Sequence, residues 1–534
     1  MKCLNKNIKL QDKYMKIEDK DTSMLDQLIL ENTGDLEEVV IGLVGAIGSN
    51  INILQNILKT ELEDTFNFDV FVIKISEDIL KNHPNIKSIE DYDLTTKYKR
   101  INSLMNLGNK LREFYGLDYI SLEVAAKIRE LRKNYNGSKK RVAYIIDSLK
   151  HDAEVVSLKK LYGHTFFQIS IFESEKKRKD TLNNSIGMTI EEAEKLIKRD
   201  EKEDDKCGQR TSVAFPLADY FVKFDDKSGI HINNAINRFL KLILGNAYIT
   251  PTFSEFATYM AFMSSLRSSD LSRQVGAVIA KDDNILSIGS NDVPKFGGGI
   301  YIPTYNEDDG VISDDEHGRD YKKGHDCNHF QKNALVDSIY NSIKIELNDI
   351  LSEDIPSQEK SLLKIKSLIE NSEIKDITEY GRMVHAEMDA ILNCARSNNS
   401  TQGATLYVTT FPCHNCAKHI VAAGIKEVMF VEPYPKSKAL DFHDDSITLE
   451  KGEANKLRFK PFVGIGPRNF ANLFSLSLGI GTELTRKNSK GKSIENDWCP
   501  KTAKLRIKGN PSTYKAYETA AESKINIIRN EVGR

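Results

Sequence analysis

The stretch Thr405-Leu406-Tyr407-Val408-Thr409, running on through Phe411-Pro412 into Cys413-His414-Asn415-Cys416, is an apolar, β-branched run that ends at a proline and delivers a cysteine to a helix start. The spacing predicts a strand over 405–409, a helix over 413–423 and a second strand over 427–431. Upstream, 385–397 reads as another helix, and it opens on His385-Ala386-Glu387. A thiolate or a metal at a helix N-terminus gains from the positive end of the dipole. His385, Cys413 and Cys416 together offer one imidazole and two thiolates, the ligand types a zinc ion takes when its fourth position stays open for water. Glu387, two residues from His385, can reach that open position without ligating, which suits it to proton transfer. His414 and His419, the rivals for a fourth ligand, are expected to face away from the cysteine pair.

Working outward, Thr250-Pro251 breaks the chain before a helix over Phe253–Leu266. Val275–Ile279 and Ile285–Gly289 read as an antiparallel pair, because Lys281-Asp282-Asp283-Asn284 is a turn of hairpin length. A long insertion, 292–380, interrupts the pattern with an acidic loop and a helical segment over about 332–370. This segment of chain, 250–470, is expected to form one unit.

The amino-terminal half has a different texture. Residues 1–35 form a polar leader, and 36–248 alternate strands with helices, which predicts a doubly wound parallel sheet. The first strand, Val39-Val40-Ile41-Gly42-Leu43-Val44, runs into the glycine loop Gly45-Ala46-Ile47-Gly48-Ser49-Asn50, where backbone N–H groups can cradle a phosphate. Set against G-x-x-x-x-G-K-[ST] from Gly45, the last three positions are Asn50, Ile51 and Asn52, so the lysine and the magnesium-binding hydroxyl are missing. Gly42, Gly45, Gly48, Ser49 and the strand-terminal Asp147 are therefore candidates for binding a nucleotide, without phosphoryl transfer. The alternative is a structural turn.

Composition bounds the function. The chain has 534 residues, 75 Lys plus Arg against 77 Asp plus Glu, and a formal charge of −2, which rules out nucleic-acid binding through overall charge. Seven scattered cysteines and a polar start predict reduced thiols and a cytoplasmic protein. Within 486–508, eight basic residues stand against Glu495 and Asp497, so 471–534 reads as a basic tail.

The pairing H-x-E…P-C-x-x-C is the signature of zinc-dependent nucleobase deaminases. Together with Arg267-Ser268, Arg273-Gln274-Val275-Gly276-Ala277-Val278-Ile279, Gly289-Ser290-Asn291-Asp292-Val293-Pro294 and Ala423-Gly424-Ile425, it resembles the deoxycytidylate deaminase family over 250–470. With its first half, the chain is similar to bacterial anti-phage deoxycytidine nucleotide deaminases, which fuse a P-loop kinase-like domain to such a deaminase. That resemblance implies a cytidine-deaminase-like α/β/α domain at the C-terminal end and zinc-dependent deamination of dCTP and dCMP to dUTP and dUMP, depleting dCTP during infection. It also implies a homo-oligomer, an inhibitory small RNA as partner, and a regulatory nucleotide at the degenerate glycine loop. Asn291 then maps to a sugar contact, with Arg267 and Arg273 as phosphate anchors, although Gly289-Ser290-Asn291-Asp292 stands where the family commonly has Gly-Tyr-Asn-Gly. Some family members hold a second zinc. His317, His325, Cys327 and His329 lie in the insertion, and the last three would share one side of a strand, but their spacing fits solvated loop residues better. Two other readings are a polynucleotide cytosine deaminase, and a nucleic-acid-binding sensor with a structural zinc and 486–508 as its docking patch.

Overall fold

The computed structural model describes residues 36–532, apart from 85–91, 204, 225–228, 351–354, 373, 375–376, 378–379, 435–436, 478–482, 508 and 510. The polar leader 1–35 lies outside the described residues. The chain is a mixed α/β protein built on two six-stranded sheets.

The first sheet takes the β-branched runs of the amino-terminal half. These are β1 (Glu37–Gly45), β2 (Asp69–Lys74), β3 (Arg141–Asp147), β4 (Phe166–Phe172) and β5 (Tyr220–Lys223). They lie in the order β5-β4-β1-β3-β2, all parallel, with β1 central. Buried on both faces, β1 and β3 read as continuous apolar runs, which is why the sequence shows them clearly. Helices cover the sheet: α1 (Ile51–Thr60), α2 (Lys97–Tyr115), α3 (Tyr119–Lys133), α4 (Asp152–Tyr162), α5 (Ile190–Glu201) and α6 (Ile230–Ile243).

The second sheet follows α7 (Phe253–Ser265), which is opened by a capping box between Thr252 and Glu255. Strands β6 (Gly276–Lys281) and β7 (Asn284–Ser290) form the predicted hairpin. Its two-residue turn has positive φ at Asp282 (51°) and Asp283 (56°), the backbone of a type I′ turn. In the insertion, α8 (Cys327–Ile350) and α9 (Ile355–Glu370) pack on each other. Then come α10 (Ala386–Arg396), β8 (Thr405–Thr410), α11 (His414–Ala422), β9 (Glu427–Glu432), β10 (Ile447–Thr448) and β11 (Leu457–Pro461). β6 joins β8 antiparallel, and β8, β9, β11 and β10 continue in parallel.

The two halves share a core. Tyr407, Met429 and Val278 of the second sheet belong to the same buried cluster as Phe215 and Phe221 of the first half. Phe172 meets Phe430 edge-on at 6.0 Å. The chain also returns: β12 (Gly464–Ile465) pairs antiparallel with β5 and becomes the edge of the first sheet.

The segment 471–534 is more than a basic tail. Ala503, Leu505 and Ile507 are buried, and α12 (Pro511–Val532) packs along α3. Its buried stripe is Tyr514, Glu518, Ala521, Ile525 and Ile528, one face of a helix at i, i+4, i+7, i+11 and i+14. Glu518 is wholly buried, accepting from Tyr162 Oη at 2.8 Å and from both terminal nitrogens of Arg132. Arg132 Nε in turn bonds Glu38 at 2.6 Å, and Tyr514 Oη donates to the same carboxylate at 2.6 Å. A charged residue in the middle of an apolar stripe is what hides this helix from a periodicity reading. Arg506, counted among the basic tail residues, is buried and donates Nε to Asn472 O at 2.7 Å, while Lys508 lies outside the described residues.

Candidate active site

Two helix N-termini meet at the C-terminal end of β8. His385 is the N-cap residue of α10 and Cys413 that of α11, both with extended backbone at the cap. Cys416, one turn into α11, is fully buried and donates its backbone N–H to Cys413 Sγ at 3.5 Å. His385 Nδ1 lies 3.4 Å from Cys413 Sγ and 3.3 Å from Cys416 Sγ. A tetrahedral zinc with bonds of roughly 2.0–2.1 Å to nitrogen and 2.3 Å to sulfur sets N···S edges of about 3.5 Å, so the three donors fit the ion. Among the described residues this is the one group of metal-capable side chains, and neither His414 nor His419 belongs to it.

The charges agree with that assignment. A hydrogen bond with Cys413 raises the basicity of His385, and hydrogen bonds from Cys416 and His385 hold the Cys413 thiol well below its ordinary range. Glu387 is 4% exposed, and burial pushes its carboxyl above the usual carboxylate range. His385, Glu387 and Cys413 line one cavity of about 430 Å³. Its size falls in the usual range for small-molecule sites, roughly 300–1,000 Å³.

Gly289 allows this assembly. A Cβ there would stand 2.2 Å from Ala386 O and 2.5 Å from Ala390 N, so only glycine lets β7 approach the start of α10. Asp389, on the next face of α10, accepts Ser290 N at 3.2 Å and fixes the register of helix on sheet.

The profile of the cytidine and deoxycytidylate deaminase zinc-binding region matches residues 252–432. The deoxycytidylate deaminase of Enterobacteria phage T4 is 32% identical over 179 residues, 34% of this chain and 77% of that protein. This chain belongs to the deoxycytidylate deaminase family. The mouse (Mus musculus) deoxycytidylate deaminase is 28% identical over 222 residues, covering 41% of this chain and 81% of its own length. A dCMP deaminase of cyanophage S-TIM5, solved with dCMP and dUMP, aligns over 40% of this chain and all of its own at 17% identity and a TM-score of 0.22.

Within the deaminase domain, the structure gathers some of the expected substrate residues and leaves out one. Asn291 and Arg273 line the cavity. Asn291 is buried and pins the 270–275 loop: its Oδ1 accepts from Val275 N at 2.7 Å, and its Nδ2 donates to Asp270 at 2.9 Å and to Arg273 O at 2.9 Å. Arg273 lies 3.6 Å from Glu432 and over the Tyr434 ring. Arg267 is exposed just past α7 and is not among the residues lining the cavity. The insertion cluster does not assemble either. Cys327 begins a helix, not a strand, so alternation fails; its Sγ faces Asp320, while His325 and His329 are exposed and bond Lys323 O and Asn333. His317 is exposed in the preceding turn.

In the amino-terminal half, Gly45, Gly48, Ser49 and Asp147 line a second cavity of about 320 Å³. Gly42 lies in β1 and serves packing: a Cβ would meet Leu149 Cδ1 at 2.7 Å. Three side chains to which sequence reasoning gave no role hold this loop. Lys150 Nζ reaches Gly45 O and Asp200 Oδ1, each at 2.8 Å, so a lysine from beyond β3 stands where the loop lacks its own. Asp200 Oδ2 accepts Ile47 N at 2.9 Å, and Glu173 accepts Asn50 N at 2.9 Å. The loop's N–H groups already bind anions, and those anions belong to the protein.

Proposed function

We propose that this chain is a zinc-dependent hydrolytic deaminase of deoxycytidine nucleotides, converting dCTP and dCMP to dUTP and dUMP and so draining the dCTP pool in defence against phage. The observation that carries the reading is a buried carboxyl, Glu387, lining one cavity with His385 and Cys413, which with the buried Cys416 form a three-donor cluster. The zinc ion supplies Lewis acidity and a water made acidic enough to lose a proton near neutral pH. Glu387, its acidity weakened by burial, accepts a proton from the attacking water and passes it to the pyrimidine ring nitrogen, then takes the proton of the hydroxyl now on the ring carbon and hands it to the amino group, which leaves as ammonia. Asn291, at the cavity wall, takes the sugar, and Arg273 faces the phosphate.

The first domain is read as P-loop kinase-like and regulatory, with a nucleotide held by Gly45, Gly48, Ser49 and Asp147. Support comes from the central position of β1 before the glycine loop and from the cavity those residues share. A phosphate there has to displace Asp200 and Glu173 from the loop's N–H groups. Cytoplasmic location, a homo-oligomer and an inhibitory small RNA complete the reading. Among the described residues, no helix is long and apolar enough to cross a membrane.

The test offers dCTP, dCMP, CTP and a single-stranded oligonucleotide in parallel to the zinc-loaded protein, with Glu387→Ala as control. Deoxyuridine nucleotides formed from free dCTP or dCMP, and lost in the variant, are the expected result. Product from the oligonucleotide alone moves the reading to polynucleotide editing, and no product from any of the four removes the deaminase reading.

A further inference from the structure

The cavity beside Glu387 is walled by residues between 270 and 434, with one exception: Lys202, from the first domain. Lys202 follows the last residue of α5, and the chain on either side of it is held. On one side, Asp200 is bound to Ile47 N and Lys150, and Glu201 pairs with Arg178 at 3.2 Å while its carbonyl accepts Ser212 Oγ at 2.7 Å. On the other, Glu203 accepts from Arg199 Nε and Gln209 N, both at 2.7 Å, and from Asn109 Nδ2 at 2.8 Å. The backbone at 202 is therefore fixed, while the lysine itself is exposed and forms no hydrogen bond or ion pair among the described residues.

The other charges of the cavity are already engaged. Asp270 accepts Ser272 N at 2.6 Å and Asn291 Nδ2 at 2.9 Å. Asp320 lies 3.5 Å from Arg382, and Asp326 caps α8 by accepting Asn328 N at 2.8 Å. Arg273 has Glu432 and the Tyr434 ring beside it. Lys202 is the lining cation that none of these groups neutralises, and an ammonium on a flexible stem suits a mobile, highly charged phosphate chain.

We propose that Lys202 is a specificity-determining substrate contact that binds the outer phosphates of a deoxynucleoside triphosphate, so that the first domain sets the phosphate-chain length accepted by the deaminase domain. This rests on the deaminase reading above. A nucleotide whose base reaches Glu387 and whose sugar lies at Asn291 extends its 5′ phosphates toward the open part of the cavity, where a triphosphate goes further than a monophosphate.

The experiment measures kcat and KM for dCTP, dCMP and deoxycytidine on the zinc-loaded full chain, with Lys202→Gln and Lys202→Arg. Lys202→Gln is expected to raise the KM for dCTP about tenfold, near the low end for a hydrogen bond to a charged group. The rise for dCMP is smaller, and Lys202→Arg restores most of the dCTP affinity. Equal shifts for dCTP and dCMP, or no shift, in an enzyme that deaminates them overturn the role of Lys202 alone. A wild-type chain that deaminates none of the three substrates overturns the deaminase reading and this one with it.

Discussion

The glycine loop after β1 and the cysteine turn after β8 occupy the same kind of place, where a strand hands the chain to a helix and the first N–H groups of that helix point outward. They use those groups differently. At the cysteine turn, the N–H of Cys416 holds the Cys413 thiolate, and the buried Glu387 faces a cavity with water access. At the glycine loop, Ile47 N and Asn50 N are satisfied by Asp200 and Glu173, and Lys150 neutralises Asp200. The turn proposed to do chemistry keeps a buried carboxyl on the wall of its cavity, whereas the glycine loop's N–H groups are held by the protein's own carboxylates until a ligand displaces them.

The largest effect separates the two. Glu387→Gln removes the proposed proton carrier but keeps the shape, so kcat is expected to fall by about 10²–10⁴, with zinc content by atomic emission unchanged. A variant that keeps wild-type kcat breaks the distinction, because the buried carboxyl is then only structural.

Asp200→Asn is the corresponding change at the glycine loop. It leaves Lys150 without its carboxylate while the amide oxygen can still accept Ile47 N, and with Asp200 wholly buried but Lys150 22% exposed the loss is expected to cost about 1–3 kcal/mol. Urea unfolding followed by tyrosine fluorescence reads the loss. A variant as stable as wild type means that Asp200 is dispensable to the loop, and the view of a self-satisfied loop fails.

Much of this is visible in the sequence, and the exceptions share a cause. β1 and β3 carry long apolar runs, β8 is rich in β-branched residues, and His385, Glu387, Cys413 and Cys416 sit at fixed local spacings, so both the strands and the metal ligands can be read from neighbours in the chain. The misses are residues whose meaning depends on distant partners. Lys150 and Asp200 meet across the loop, Lys202 reaches another domain's cavity, and the stripe of α12 carries Glu518 because Arg132 lies opposite it. Arg273 and Arg267 look alike as exposed basic residues between α7 and β6, and only the fold puts the first on the cavity wall and leaves the second off it.

Gly289→Ala probes the packing that opens the catalytic turn. The added methyl meets Ala386 O and Ala390 N, backbone atoms that cannot move without shifting His385 and Glu387. Overpacking of this kind is expected to cost about 1–3 kcal/mol of stability, and displacement of reacting groups by about 1 Å lowers rate by up to about 10²-fold. Steady-state kinetics beside thermal melts shows whether rate and stability fall together, as a shared contact requires; a loss of stability with full kcat would mean that α10 does not depend on this approach.

The smallest effect tests the same contrast through His83, a titrating group that lines neither cavity. His83 is 1% exposed, with Nε2 3.1 Å from Tyr119 Oη and 3.7 Å from Glu123. Burial, with the Arg529 charge added, lowers its pKa from 6.5 to about 4. The folded state therefore binds this proton less readily than the unfolded chain, so the contribution is fully present above pH 6.5 and erodes as pH falls toward 4. At pH 5 the loss is about 2 kcal/mol, and His83→Asn, which carries no titrating ring, should flatten that part of the pH profile in urea unfolding. Glu387 is also buried and also shifted away from its charged form, but in the proposed reaction its shift serves a proton that moves during turnover. If the variant loses stability between pH 7 and 5 as steeply as wild type, the acid sensitivity comes from another group, and burial alone would not separate the two regions.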